Sequence, residues 1–244
     1  MTIYAIGDIH GQRGMLEAAH ARIAADRAEH GAPDAPVVHL GDLTDRGPDS
    51  RGVLDFLIGG IAAGRPWIVL KGNHDRMFAG YLDDPLYHDP GLRAGLPWFD
   101  PRLGGAQTLA SYGVADAAAR PVPEVHAEAL AKVPAAHRRF LAGLDTMHVT
   151  PELVFVHAGI RPGVPLESQA ETDLVWIRTG FLDDTTDHGR LVVHGHTALE
   201  APQHFGNRVD LDSGAGFDRP LTAAVFEGRD CFVLEAEGRR PLLP

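Results

Sequence analysis

Along this chain, apolar runs rich in Val, Ile or Leu break off at short loops that carry Asp, His and Asn beside glycine. Five loops of this kind read Gly7-Asp8-Ile9-His10-Gly11, Gly41-Asp42-Leu43-Thr44-Asp45-Arg46-Gly47, Gly72-Asn73-His74-Asp75, His157-Ala158-Gly159 and His194-Gly195-His196-Thr197, and four of them directly follow an apolar run. Such runs suit buried strands. The polar residues therefore fall where strands end, and a sheet that gathers those ends at one edge gathers the side chains with them.

The first third alternates strand and helix. Thr2–Ile6, Val37–Leu40 and Trp67–Leu70 read as strands. Gly14–His30, with Met15, Leu16, Ala19 and Ile23 at helical spacing, and Ser50–Ile61, with Val53, Leu54, Leu57, Ile58 and Ile61 on one face, read as helices. The β-α-β-α-β order predicts a parallel sheet with right-handed crossovers. Residues 76–113 interrupt it: Pro85, Pro90, Pro97 and Pro101 punctuate a stretch that still holds Phe78, Tyr81, Leu82, Trp98 and Phe99, the composition of an insert or cap. Pro134–Leu144 reads as a short helix, and Met147–Thr150 with Leu153–Val156 as a hairpin or two adjoining strands. Leu191–Val193, Arg208–Leu211, Thr222–Phe226 and Cys231–Glu235 are further strands, whose short connections predict a second, mixed or antiparallel sheet. With no repeat and no Ser/Gly linker, residues 1–244 are expected to form one domain with an insert at about 76–113.

A net charge of −11 argues against a general nucleic-acid or acidic-membrane binder, so neither is expected as a partner. No stretch approaches the ~20 apolar residues of a membrane span, and no signal peptide is read at the N-terminus, which leads to an expected cytoplasmic location. Cys231 is the only cysteine and lies in an apolar run, as a buried strand residue would. Nothing in the sequence fixes the oligomeric state.

Asp8 and His10 alternate on one loop and can face one ion if the chain is extended there. Asp42 suits a bridging carboxylate, Asn73 offers a neutral amide oxygen, and His157 and His196 offer imidazoles. Two Asp, one Asn and three His suit a pair of divalent cations, Mn first with Fe or Zn as alternatives, rather than Ca. Such a pair makes hydroxide available near neutral pH. His74 follows Asn73 and could reach the same place as a general acid, with Asp45 to orient it. Arg46, on the Asp45 loop, could fork onto two phosphate oxygens.

These motifs resemble the phosphoprotein phosphatase family of calcineurin-like metallophosphoesterases, whose marks are GDxHG, GDxxDRG, GNH[E/D], HxG and a late GH, here over residues 7 to about 197. Trp98, Gly104-Gly105, Thr108-Leu109, Ser111-Tyr112-Gly113, Trp176-Ile177-Arg178 and Asp212-Ser213-Gly214-Ala215 look like the bacterial and phage serine/threonine phosphatase branch. The resemblance implies an α-β-β-α sandwich of two mixed sheets flanked by helices. It implies Asp8, His10 and Asp42 on one metal, and Asp42, Asn73, His157 and His196 on the other. It further implies His74 as acid with Asp45, and Arg46 and Arg178 as phosphate clamps. Arg178 enters on the resemblance more than on spacing. Two positions depart from related patterns: Asp75 stands where eukaryotic protein phosphatases have Glu, and Ala198 stands where phosphodiesterases of the wider superfamily carry a second His.

The activity expected first is a dimetal serine/threonine protein phosphatase acting on a phosphorylated protein or small phosphoester. The second expectation is a symmetrical dinucleoside polyphosphate hydrolase, a reaction for which the same motifs serve. A third, of another class, is a non-catalytic phosphoprotein-binding module, whose signature would be loss of a ligand or of the acid; none is lost here.

Overall fold

A computed structural model describes residues 1–244. The chain runs through β1 (Thr2–Ile6), α1 (Arg13–His30), β2 (Val37–His39), α2 (Ser50–Ala62), β3 (Trp67–Val69) and α3 (Asn73–Asp83). Three more helices follow, α4 (Gly105–Ser111), α5 (Val122–Lys132) and α6 (Ala135–Ala142). The second half contains β4 (Met147–Val149), β5 (Leu153–Val156), α7 (Glu171–Trp176), β6 (Leu191–His194), β7 (Gln203–His204) and β8 (Arg208–Asp210), then β9 (Ala223–Glu227), β10 (Asp230–Glu235) and β11 (Gly238–Pro241).

Two mixed sheets result, ordered β11-β10-β9-β1-β2-β3 and β4-β5-β6-β8-β7. Because side chains alternate across a strand, each central strand feeds two layers. Ile3 and Ala5 of β1, with Val38 of β2 and Leu40 just beyond it, pack with Leu153, Phe155, Leu191 and Val193 between the sheets. Tyr4, Ile6 and Val37 point the other way, into a cluster with Leu16, Ile23, Val53, Leu57 and Phe78 from the helices. Val154, Val156 and Val192 cover the far face of the second sheet against Leu174, Ile177 and Phe181. The architecture is therefore the expected α-β-β-α sandwich of two mixed sheets flanked by helices.

Local chemistry sets the element ends that matter for the site. Asp49 caps α2 by accepting from Gly52 N at 2.8 Å. Asp75 closes the start of α3 by accepting from Gly72 N at 2.9 Å. That cap converts the third polar loop into a helix N-terminus, so the segment expected to be irregular from residue 76 is helical to Asp83.

The C-terminal strands also differ from expectation. They do not extend the second sheet. β9 pairs antiparallel with β1, Ile3 opposite Phe226, and β10 and β11 continue outward from it. This pairing buries Phe226, Val225 and Ala224 on both faces, which an edge position in the second sheet would not. No helix is long and apolar enough to cross a membrane.

Candidate dimetal centre

Asp8 and His10 follow β1, Asp42 follows β2, Asn73 opens α3 after β3, His157 follows β5 and His196 follows β6. All six are buried. The parallel strands of both sheets end at the same rim, so their loops meet there. Two ligand groups form, His10–Asp42–His74 and Asp42–His157–His196, each with its donor atoms within 4.8 Å of one another. Asp42 is common to both.

Asp42 places its two oxygens on different sides. Oδ2 lies 3.4 Å from His10 Nε2, and Oδ1 lies 3.4 Å from His157 Nε2. Burial alone would raise the Asp42 pKa, but the imidazoles of His157, His74, His10 and His196 outweigh it and hold the carboxyl well below the usual range. Asn73 turns Oδ1 inward, 3.0 Å from His157 Nε2 and 2.9 Å from His196 Nδ1. Asp8 uses Oδ2 to accept from His196 N at 3.0 Å. Burial, then the charges of Asp212, Asp42 and Asp210, push the Asp8 pKa up.

The imidazoles are oriented from behind. His10 Nδ1 donates to Thr44 O at 2.9 Å and His157 Nδ1 donates to Leu40 O at 2.8 Å. Each bond fixes the tautomer that leaves Nε2 unprotonated and facing inward, the form that binds a metal. Burial, aided for His10 by Arg46 and His74, lowers both pKa values and keeps the rings neutral. Asp8 Oδ1 and His196 Nε2 are buried with no hydrogen-bond partner. Buried polar atoms are otherwise paired, and free buried donors of this kind fit a site for cations. The donor set of carboxylate, amide oxygen and neutral imidazole fits two divalent ions.

The backbone at the site is strained. Of seven non-glycine residues with positive φ, five are His10 (46°), Asp42 (47°), Asp45 (72°), Arg46 (65°) and His196 (66°). Such conformations cost roughly 1–3 kcal/mol each and collect where function requires them. Two glycines allow the loops to close. A Cβ on Gly72 would strike Asp42, and a Cβ on Gly195 would strike Asp8 Oδ1.

Asp8 falls in neither of these groups, whereas His74 is part of the first and is held from its far side. Its Nδ1 donates to Asp45 Oδ2 at 2.7 Å, and its Nε2 lies 4.0 Å from Asp42 Oδ2. Asp45 is fully buried and is fastened by Thr108 Oγ1, which donates to Oδ1 at 2.7 Å, and by Trp98 Nε1, which donates to Oδ2 at 2.8 Å. Arg46 sits across the site, with Nη1 2.6 Å from His10 Nε2 and Nη2 3.2 Å from His74 Nε2, and its guanidinium lies 4.8 Å from the centre of the Phe217 ring. Arg178 reaches in from the end of α7, where Nη2 donates to His196 O at 3.1 Å. All ten residues singled out from the sequence thus lie in or beside one cleft. Arg46, Arg178, Arg93, Leu92, Leu96 and Trp176 are among the residues lining this cleft of about 390 Å³.

Other residues acquire roles that the sequence reading did not assign. Asp212, noted only as part of a family-like string, is buried beside Asp8 and accepts from Gly214 N at 2.8 Å. Asp75 accepts from Leu43 N at 3.0 Å and thereby ties the Asp42 loop to the Asn73 loop. Trp98 packs and also holds Asp45. His137 is buried between Tyr112 and Asp55. Arg76 grips Asp89 through Nε and Nη2 at 2.7 and 2.6 Å. His194 ends β6 with Nε2 3.2 Å from Arg208 Nη1.

Comparison with known proteins agrees with this construction. The family model for calcineurin-like phosphoesterases matches residues 1–217. The asymmetrical bis(5′-nucleosyl)-tetraphosphatase PrpE of Geobacillus thermodenitrificans is 26% identical over 246 residues, covering 91% of this chain and 89% of the relative. Among solved structures, a candidate diadenosine tetraphosphatase superposes with a TM-score of 0.64 at 20% identity, covering 99% of this chain and 94% of the other. A cold-active protein tyrosine phosphatase of a psychrophilic Shewanella superposes with a TM-score of 0.62 at 17% identity, covering 99% and 80%. At these identities the two structures speak to the fold alone. These likenesses do not single out the serine/threonine phosphatase branch. On the family match and the dimetal geometry, the chain belongs to the calcineurin-like phosphoesterases.

Proposed function

We propose that this metallophosphoesterase hydrolyses dinucleoside tetraphosphates. The observation that carries the reading is the charge of the cleft. Arg46, Arg178 and Arg93 all line it, beside the apolar side chains of Leu92, Leu96 and Trp176. Two guanidiniums suffice for a single phosphoryl group, and a third, with apolar walls next to it, suits a chain of phosphates that ends in a nucleoside. The tetraphosphatase named above, which aligns over nine-tenths of the chain, supports the same choice.

Asp8, His10 and Asp42 would hold one cation, and Asp42, Asn73, His157 and His196 the other, with Mn²⁺ the first choice. When bound, the pair supplies Lewis acidity and lowers the pKa of water at the centre. The protein does the rest. Arg46 and Arg178 hold the non-bridging oxygens as charge shifts in the transition state. His74, kept in one tautomer by Asp45, protonates the departing oxygen from Nε2. No side chain acts as a nucleophile in this reading.

The second reading is a protein phosphatase, expected first from the motifs. The same arginines and the same acid serve a phosphomonoester equally well, and a protein tyrosine phosphatase shares the fold. A panel with Mn²⁺ decides between them. Diadenosine tetraphosphate is expected to show a higher kcat/KM than phosphoserine, phosphothreonine or phosphotyrosine peptides, and product analysis then shows whether cleavage is symmetrical. A clear preference for any phosphopeptide overturns the dinucleotide reading.

A further inference from the structure

Behind the lining of the catalytic cleft, one buried carboxylate gathers five donors. Asp89 is 1% exposed. Its Oδ2 accepts from Arg76 Nε at 2.7 Å and from Tyr87 Oη at 3.1 Å. Its Oδ1 accepts from Arg76 Nη2 at 2.6 Å, from Gly91 N at 2.8 Å and from Trp176 Nε1 at 2.8 Å. A carboxylate so surrounded has no lone pair left for a substrate. Burying it is costly, and only good partners offset the cost.

Those partners have the cleft in common. Gly91, Leu92, Arg93 and Leu96 line it from the loop after α3, and Trp176 and Arg178 line it from the end of α7. Asp89 Oδ1 holds the backbone of that loop and the indole of that helix at a single atom. The packing there is close. A Cβ on Gly91 would stand 2.3 Å from Trp176 Cδ1, so the loop backbone lies on the indole ring. The indole meets His196 edge-on, with ring centres 5.7 Å apart, and Arg178 donates to the carbonyl of the same His196. The third partner, Arg76, belongs to α3, the helix that opens with Asn73 and His74. Its Nη1 donates to Thr172 Oγ1 of α7 at 3.2 Å. The forked pair between Arg76 and Asp89 fixes an orientation as well as a distance.

We propose that Asp89 is a positioning residue for phosphoester hydrolysis: it fastens the end of α7 to α3 and to the loop after it, and so sets where Arg178 meets the phosphate. It touches no reacting atom and acts through Trp176. A displacement of about 1 Å at a group that holds the substrate can cost up to about a hundredfold in rate. The inference rests on the reading of Arg178 as a phosphate clamp, and it holds for a phosphomonoester and for a dinucleotide alike.

Hydrolysis of p-nitrophenyl phosphate by the Mn²⁺-loaded protein tests the link without a base or a phosphate chain in the substrate. Arg178→Ala is expected to lower kcat/KM about a hundredfold. Asp89→Asn is expected to lower it about tenfold, with KM raised and kcat lowered together, as for a displaced clamp. That variant leaves the largely buried Arg76 without its counter-charge. Trp176→Phe therefore serves beside it, because it spares the ion pair and removes only the N–H limb; about a fivefold loss is expected, the worth of one ordinary hydrogen bond. Thermal melts show which variants are folded at the assay temperature, and if Asp89→Asn is not, Trp176→Phe carries the test alone. Each is then combined with Arg178→Ala. If Asp89 acts by placing Arg178, either change costs less than about twofold once Arg178 is gone. Losses of equal size with and without Arg178 make the role structural and overturn the inference, as do wild-type kinetics in the single variants. If Arg178→Ala itself keeps the wild-type kcat/KM, it is the clamp reading that fails, and the positioning role fails with it.

Discussion

Trp98 and His74 share one oxygen. The indole N–H of Trp98 donates to Asp45 Oδ2 at 2.8 Å, and the same oxygen accepts from His74 Nδ1 at 2.7 Å. The segment after α3 is thus wired to the residue proposed to protonate the leaving group. His74→Asn is expected to cost alkyl phosphates on the order of 10²–10⁴ in kcat, the worth of a general acid, and aryl phosphates with good leaving groups far less. Trp98→Phe is expected to give a smaller version of the same selective loss, because it leaves His74 in place but loosens Asp45. A series of leaving groups of graded pKa checks both variants, and equal losses across the series would remove the acid from His74.

Asp42 is the one carboxylate that faces both ligand groups. Asp42→Asn removes a charge and half of the bridging geometry, so turnover should be abolished and both cations should bind more weakly. Titration calorimetry with Mn²⁺ reads the second effect independently of activity. Full-strength binding of two ions per chain to the variant would rule out bridging.

The site was more legible than the fold around it, for a local reason. A ligand next to a buried strand needs a tight turn, and the glycines at positions 72 and 195 show it: a side chain at either would collide with Asp42 or Asp8. The signal is therefore written within a few residues of each ligand. α3 was missed because Asn73-His74-Asp75 has the composition of a loop, and only the reach of Asp75 back to Gly72 N makes it a helix start. The return of β9 to β1 had no local sign at all. Thr2 pairs with Glu227 across more than two hundred residues, and hydrophobic alternation specifies which face is buried but not which strand lies alongside. Asp212 and Trp98 were seen as residues of a family-like string but not as supports of Asp8 and Asp45, because a second layer around a site carries no spacing rule.

His20 and His39 meet through their Nε2 atoms at 3.0 Å, between Trp67 and Ile68. Burial holds the His39 pKa down at about 4 and that of His20 at about 3, with the neighbouring ring adding to the effect on His20. Both are neutral in the fold, whereas in the unfolded chain each takes up a proton near pH 6.5. The unfolded state therefore binds more protons below that pH, and stability falls as pH falls. For His39, which is fully buried, the loss by pH 4 is about 3 kcal/mol. Urea unfolding between pH 7 and 5 is expected to show a steeper decline in the wild type than in a His20→Phe/His39→Phe double variant. Parallel profiles would mean that the pair does not titrate on unfolding.

Phe217 is 56% exposed at the mouth of the cleft and stacks on the guanidinium of Arg46. The ring limits where Arg46 can go without taking up any of its N–H groups, which lie against His10 Nε2 and His74 Nε2. Arg46→Ala should raise KM and lower kcat together, since the clamp acts in the ground state and in the transition state. Arg46→Lys should recover little, because a point charge cannot reproduce two parallel N–H bonds. Phe217→Ala should be milder, raising KM about two- to fivefold, as expected for an exposed cation–π contact. Steady-state kinetics on diadenosine tetraphosphate and on p-nitrophenyl phosphate distinguishes positioning from base recognition. If Phe217 only steadies Arg46, both substrates lose alike. A loss confined to the dinucleotide would instead make Phe217 a platform for a base.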